Sequence, residues 1–253
     1  MKKQMEKQMK RLAALILVSV MVCTLAACGS TTVSDGRKTV SVNTVEELEQ
    51  MVETDVENTI ATLQNEYENL LAGIDTYDAY MEQVDEVEVF YAEICRENRD
   101  ICIRMRQYSI AYAELVCEGE GTREEKYDAI DDLYDCIYDD ACGEIYDGIY
   151  DDLLGDIHDA LYDGILRDAY DTVPYGEWSD AMSEAYEMWS DCLSDVYEDW
   201  ADALKDIYRF WSDICGALWD GDMDEAGEEI EKFREEVKML TTGQTQSSSH
   251  SVV

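Results

Sequence analysis

The sequence predicts an all-α protein: an elongated antiparallel bundle of a few long helices with coiled-coil-like heptad and 11-residue packing. Three observations predict it. Pro174 is the one proline in 253 residues, and the chain is rich in Asp, Glu, Tyr and Ala, a composition that favours long uninterrupted helices. An apolar heptad runs through Ile60, Leu63, Tyr67, Leu70, Ile74, Tyr77, Met81, Val84, Tyr91, Cys95, Cys102, Met105, Tyr112 and Val116. The stretch WSDAMSEAYEM, WSDCLSDVYED, WADALKDIYRF, WSDICGALWDG then repeats every eleven residues, aligning Trp178, Trp189, Trp200 and Trp211. Eleven residues make three α-helical turns plus about 20°, so every Trp stays on one side of a helix.

Charge bounds the partners. A net charge of −40 repels nucleic acid and anionic lipid surfaces and opposes compaction. Cationic ligands, divalent ions or another envelope protein are the natural counterweights, with the body a monomer or a helical oligomer.

The N-terminus reads as an address. Residues 1–11 are basic, residues 12–22 (LAALILVSVMV) form a short apolar run, and Leu25-Ala26-Ala27-Cys28 follows. The apolar core is too short for a permanent span, and its flanks are those of an export signal. The LAAC tetrapeptide resembles the lipobox of bacterial lipoproteins. The resemblance implies cleavage of residues 1–27 and a diacylglyceryl and palmitate anchor on Cys28. It places the protein on the outer face of a bacterial cell membrane.

The elements follow in order. Residues 28–42 are small, polar and aperiodic, as in a flexible tether. The helical body spans 43–240. Asn43 or Thr44 caps a first helix, Glu46 and Glu47 suit its dipole, and the heptad holds phase across Gly73, so one helix is expected over about 44–118, with a break near Gly73 as the competing reading. Glu88, Asn98 and Ser109 in its seam mean that it needs partners from its own chain. Glu118-Gly119-Glu120-Gly121 is a turn, and Thr122 with Glu125 forms a capping box. A second repeat, of twelve, fills about 122–172: LYDCIYDDACGE, IYDGIYDDLLGD, IHDALYDGILRD. Beneath it lies an apolar step of four from Leu133 to Ala169. On an α-helix each step of four drifts by about 40°, so either neighbours wrap this helix from several sides or its glycines bend it. Val173-Pro174 breaks the chain, the Trp helix runs over about 177–219, and a last helix over about 223–240. Residues 241–253 read as a disordered tail.

With anchor and both repeats read, the mature chain is similar to a group of helical Tyr/Asp- and Trp-repeat lipoproteins of anaerobic Gram-positive bacteria. That resemblance implies no activity and lends no site residues.

Candidate chemistry is sparse. Asp220, Asp222, Asp224 and Glu231 have the ligand spacing of an EF-hand loop for Ca²⁺, but Glu225 stands where that loop needs glycine. A helix–helix turn capped by Asp222 is the competing reading. The pairs Asp135/Asp139, Asp147/Asp151 and Asp159/Asp163 read as a solvated acidic face or a diffuse cation surface. His158 takes a column otherwise held by Tyr134, Tyr146 and Tyr170, so packing is expected of it. The seven cysteines after Cys28 are odd in number, show no zinc spacing, and read as small core residues. No catalytic role is expected. The Trp and Tyr columns are expected to pack against the heptad seam of the first helix. The competing reading is an adhesin whose rings stack on cell-wall or host glycans.

Overall fold

The computed structural model describes residues 31–34 and 39–247. The export signal and Cys28 lie outside them. Among the described residues the protein is all-α apart from one short strand pair.

The pair joins β1 (Thr31–Ser34) to β2 (Thr39–Val42), antiparallel with Thr31 opposite Val42 and Ser34 opposite Thr39. The flexible tether is thereby corrected over this stretch. Alternating β-branched residues favour a pleated pairing, and buried Val42 ties its end to the core.

Helix α1 (Val45–Leu71) starts at Thr44, whose hydroxyl accepts from Glu47 N–H. It stops at Leu71, two residues before Gly73, so the single helix over 44–118 is also corrected. Gly73 and Ile74 amides close a turn on Leu70 and Leu71 carbonyls, and Ile74 is buried. Gln83 donates to Gly73 O at 2.8 Å, and Thr76 caps the short α2 (Tyr77–Glu82). Helix α3 (Val84–Glu118) follows. The heptad kept its phase because the turn buries Ile74 within the seam, although the hydrogen-bond ladder is broken there.

Helix α3 is the centre of the bundle. Its burial extends beyond one seam to Ile94, Asn98, Ile101, Ile103, Arg106, Ile110 and Ala113, because α1 and three later helices surround it. Most of the polar groups drawn inside are partnered, Asn98 Oδ1 and Gln107 Oε1 being exceptions. Asn98 Nδ2 donates to Val196 O at 3.1 Å, Ser109 Oγ to Met105 O at 2.9 Å, and Arg106 Nε to Asp206 Oδ2 at 3.0 Å. On the α1 side, Asp55 Oδ2 accepts from Arg104 Nε at 2.7 Å and Tyr108 OH at 2.9 Å. Breaking such buried pairs costs more than the pairs contribute.

The twelve-residue repeat forms one continuous helix, α4, over residues 123–166. The capping box at Thr122 and Glu125 opens it. After an α-helical first part (Arg123–Leu133), π-helical stretches Tyr134–Ala141, Tyr146–Leu153 and His158–Leu166 alternate with α-helical turns Cys142–Ile145 and Leu154–Ile157. The amides of Cys142, Leu154 and Arg167 reach back five residues, to the carbonyls of Ile137, Ile149 and Tyr162. Such i→i+5 winding widens a helix and is rare in runs. Here it resolves the drift that an α-helical step of four would suffer. Twelve residues now make three turns, about four per turn against 3.6 in an α-helix, and the apolar positions stay on one face. Leu133, Ile137, Ala141, Ile145, Ile149, Leu153, Ile157 and Leu161 are all buried.

The result is a helix with four lengthwise columns. Beside the buried column runs a column of Tyr134, Tyr138, Tyr146, Tyr150, His158 and Tyr162, interrupted by buried Cys142, Leu154 and Leu166. The third column carries Asp135, Asp139, Asp147, Asp151 and Asp159, all exposed. The fourth faces α1: Tyr67 OH donates to Asp156 O at 2.9 Å, and a Cβ on Gly148 would sit 2.6 Å from Ile60 Cδ1.

Helix α5 (Tyr175–Asp220) carries the Trp repeat, and Gly221 ends it in the left-handed conformation at φ 78°. Helix α6 (Met223–Ser247) closes the bundle, stacking Phe233 on Phe210 at 4.4 Å. It runs beyond residue 240, correcting the expected tail to that extent. Paired contacts set the directions. Arg104–Asp55 with Tyr112–Glu49 runs α1 against α3, and Cys95–Cys192 with Arg106–Asp206 runs α3 parallel to α5. Trp189–Leu154 with Trp200–Cys142, and Arg209–Glu236 with Phe210–Phe233, run α4 and α6 against α5.

No described helix is long and apolar enough to cross a membrane.

Candidate functional site: an aromatic ladder between two unequal repeats

The Trp column does not pack on the heptad seam of the first helix, which corrects that expectation. Cys192 and Val196 of α5 meet α3, and they are buried together with the small and aliphatic positions Ala181, Ala203 and Ile207. The indoles instead lie half-buried along α4. Trp178 Nε1 donates to Leu166 O at 2.8 Å, Trp189 Nε1 to Leu154 O at 3.0 Å, and Trp200 Nε1 to Cys142 O at 2.8 Å.

These three bonds explain the two periods. Each step advances eleven residues on α5 and retreats twelve on α4. Eleven α-helical residues rise about 16.5 Å, so twelve residues of α4 must cover the same length, about 1.4 Å each, as wider winding allows. Each accepting carbonyl also takes a backbone amide: Cys142 O from Tyr146, Leu154 O from His158, Leu166 O from Ala169. Both lone pairs are thereby used. Trp211 would meet Ile130 by the same arithmetic, but there α4 is still α-helical. Its buried Nε1 has no acceptor among the described residues.

Rings accompany each bond. Trp200 lies 4.6 Å from Tyr146, which stacks on Tyr150 at 4.7 Å, and Tyr197 stands 5.8 Å from Trp200 and 5.9 Å from Tyr150. Trp211, Tyr208, Tyr134 and Tyr138 make the same four-ring rung. Trp189, Tyr186, His158 and Tyr162 make a third. Trp178 with Tyr170 and Tyr175 makes an incomplete one. Offset and tilted rings at these separations contribute about 0.5–1.5 kcal/mol per pair beyond area burial.

The ladder is open on its outer side. Tyr186, Tyr197 and Tyr208 are 50%, 49% and 49% exposed, and Tyr175 and Trp219 more so. One rim is the aspartate column of α4. The other is the small column Ser179, Ser190, Ala201 and Ser212 of α5. Burial raises the phenol pKa of Tyr146, and Asp151, Tyr150, Tyr197 and Asp147 push the same way, so that ring stays neutral at physiological pH. Tyr138, Tyr150 and Tyr162 are rung positions that sequence reasoning missed. Their signal was their place four residues after Tyr134, Tyr146 and His158.

The EF-hand spacing does not become an EF-hand loop. Asp220 ends α5, Asp222 Oδ1 accepts from Glu225 N–H at 3.0 Å as the cap of α6, and Asp224 and Glu231 lie on that helix. Glu231 faces Arg234 at 3.9 Å instead. Helix initiation at Met223 removes the loop that twelve-residue coordination requires. Of the acidic pairs, one gathers with a histidine: ligand atoms of His158, Asp159 and Asp163 lie within 4.8 Å of one another, and His158 Nδ1 is 3.6 Å from Asp159 Oδ1. Beneath this rung a cavity with room for about one water is lined by Tyr80, Tyr91, His158, Leu161 and Trp189.

No protein-family model matches the chain, and no curated protein or solved structure shows significant similarity to it.

Proposed function

We propose that the protein is a membrane-anchored extracytoplasmic lipoprotein of binding type, held by lipid on Cys28 and without catalytic activity. Its working surface is the outer edge of the aromatic ladder. The observation that carries this reading is the recurrence of half-exposed tyrosines, Tyr186, Tyr197 and Tyr208, beside a column of exposed aspartate pairs spaced by Gly143 and Gly155. Rings held in rungs lose little conformational freedom when a ligand arrives.

Charge selects the ligand class. Aromatic faces attract cations, and carboxylates beside them add Coulomb attraction. A chain of net charge −40 therefore fits an extended Lys/Arg-rich polypeptide laid along the ladder, with one contact set about every 16.5 Å.

The test is titration of full-length protein in detergent with a fluorescent Lys/Arg-rich peptide, a neutral peptide of equal length and soluble peptidoglycan fragments. The reading expects binding of the cationic peptide that weakens with salt, and at least tenfold loss on replacing Tyr186, Tyr197 and Tyr208 together by Ala. Cationic binding that the triple variant retains contradicts the ladder as its seat. Binding of the glycan fragments alone replaces the proposed partner with a sugar polymer. Metabolic labelling with a palmitate analogue, lost in Cys28→Ala, tests the anchor.

A further inference from the structure

Cys95 of α3 and Cys192 of α5 stand with their Sγ atoms 3.1 Å apart. Cys192 is buried, while Cys95 is reachable from solvent at the edge of the interface. Cys192 Sγ also lies 3.5 Å from Tyr91 O. Among the described residues no other pair of cysteines comes within hydrogen-bonding distance: Cys102, Cys117, Cys136, Cys142 and Cys215 are free thiols without a sulfur partner. The odd number of cysteines conceals one facing pair, 97 residues apart in sequence, on two helices that lie side by side.

We propose that Cys95 and Cys192 are an oxidation site, at which an oxidant of the disulfide class cross-links α3 to α5. The sulfurs need approach by only about 1 Å to reach bonding distance. The Cys192 thiol donates to a Cys95 thiolate and lowers the Cys95 pKa, against the opposing effects of burial and Asp195, so the reachable sulfur is also the better nucleophile. Cys95 thiolate attacks one sulfur of the oxidant's disulfide, forming a mixed disulfide and expelling the other sulfur as a thiolate. Cys192 loses its proton to that thiolate and attacks Cys95 Sγ, expelling the second sulfur, which takes the proton first lost by Cys95. Two protein thiols become one S–S bond, and the oxidant's disulfide becomes two thiols by gaining two electrons and two protons.

The bond would fix the helix that carries the rungs. It closes a loop holding all of α4, so the ladder is stapled from behind one turn from Trp189. A loop of that length implies a rise in thermal midpoint on the order of 10 °C.

The experiment incubates full-length protein with oxidised glutathione, blocks remaining thiols with N-ethylmaleimide, and maps the unreduced digest by mass spectrometry. The expected result is the Cys95 peptide joined to the Cys192 peptide, with the raised midpoint reversed by reductant. Cys95→Ser should abolish both. If that variant does not fold, the wild-type map alone decides. Both cysteines blocked by maleimide after oxidation, a glutathione adduct persisting on Cys95, or either cysteine joined elsewhere would each overturn the proposal.

Discussion

Replacing each ladder tryptophan by Phe separates the hydrogen bond from the ring. All four indoles are half-buried against α4, and Phe removes a similar part of each. Three also lose a bond of 2.8–3.0 Å to a carbonyl of α4, whereas Trp211 has no such bond to lose. A buried amide-type bond contributes about 0.5–1.5 kcal/mol net. The lower half of that range applies, because Leu166, Leu154 and Cys142 carbonyls each keep a backbone donor. For Trp211 the sign of the polar contribution reverses, since removing an unsatisfied buried N–H relieves about 1 kcal/mol or more. Trp178→Phe, Trp189→Phe and Trp200→Phe should therefore each melt about 3–8 °C below Trp211→Phe. Differential scanning calorimetry of the four variants in one buffer measures this. Equal losses at all four sites, or the largest loss at Trp211, would refute the assignment of the 11:12 register to these bonds.

Glycines of α4 should divide by surroundings. Gly143→Ala and Gly155→Ala enter open space and should raise stability by about 0.5–1 kcal/mol, whereas Gly148→Ala meets Ile60 and should lower it; urea unfolding ranks the three. Asp199, raised chiefly by burial, and Glu144, raised by burial and then by Glu57 and Glu53, both bind protons more tightly folded than unfolded. Their contribution is complete below the ordinary carboxylate pKa and lost as pH rises through the raised values, so the midpoint should climb on acidification from pH 7 towards 5. Glu125, lowered by its capping bonds to Thr122, opposes this only at lower pH; a thermal series at constant ionic strength checks it. Millimolar Ca²⁺ should raise the midpoint no more than NaCl of matched ionic strength, because Asp220, Asp222, Asp224 and Glu231 form a turn and a helix rather than a loop. A larger rise would restore a specific cation role.

The all-α class was legible because proline scarcity and apolar periodicity act through local backbone physics. So were the helix starts at Thr44 and Thr122, where side-chain caps write themselves into sequence. Gly73 was harder. A heptad can keep phase across a turn when Ile74 fills the same seam, so periodicity alone cannot report a broken hydrogen-bond ladder. The apolar step of four in α4 was visible, but under 3.6-residue winding it seemed to circle the helix. Only a partner of eleven-residue period, bonding once per step through its indoles, makes i→i+5 winding the consistent solution. The same mismatch explains the misplaced Trp column: the two periods were each apparent, and their ratio is what pairs α4 with α5. Cys95 and Cys192 were illegible because parallel packing of α3 and α5 sets their register, and no local pattern encodes it.

Through-hydrogen-bond N–C′ couplings in deuterated protein test the central claim most directly, since they report which carbonyl each amide of residues 134–166 bonds. The account predicts couplings five residues back from Cys142, Leu154 and Arg167, to Ile137, Ile149 and Tyr162. Couplings four residues back throughout would mean an ordinary α-helix, and the 11:12 register would have no structural basis.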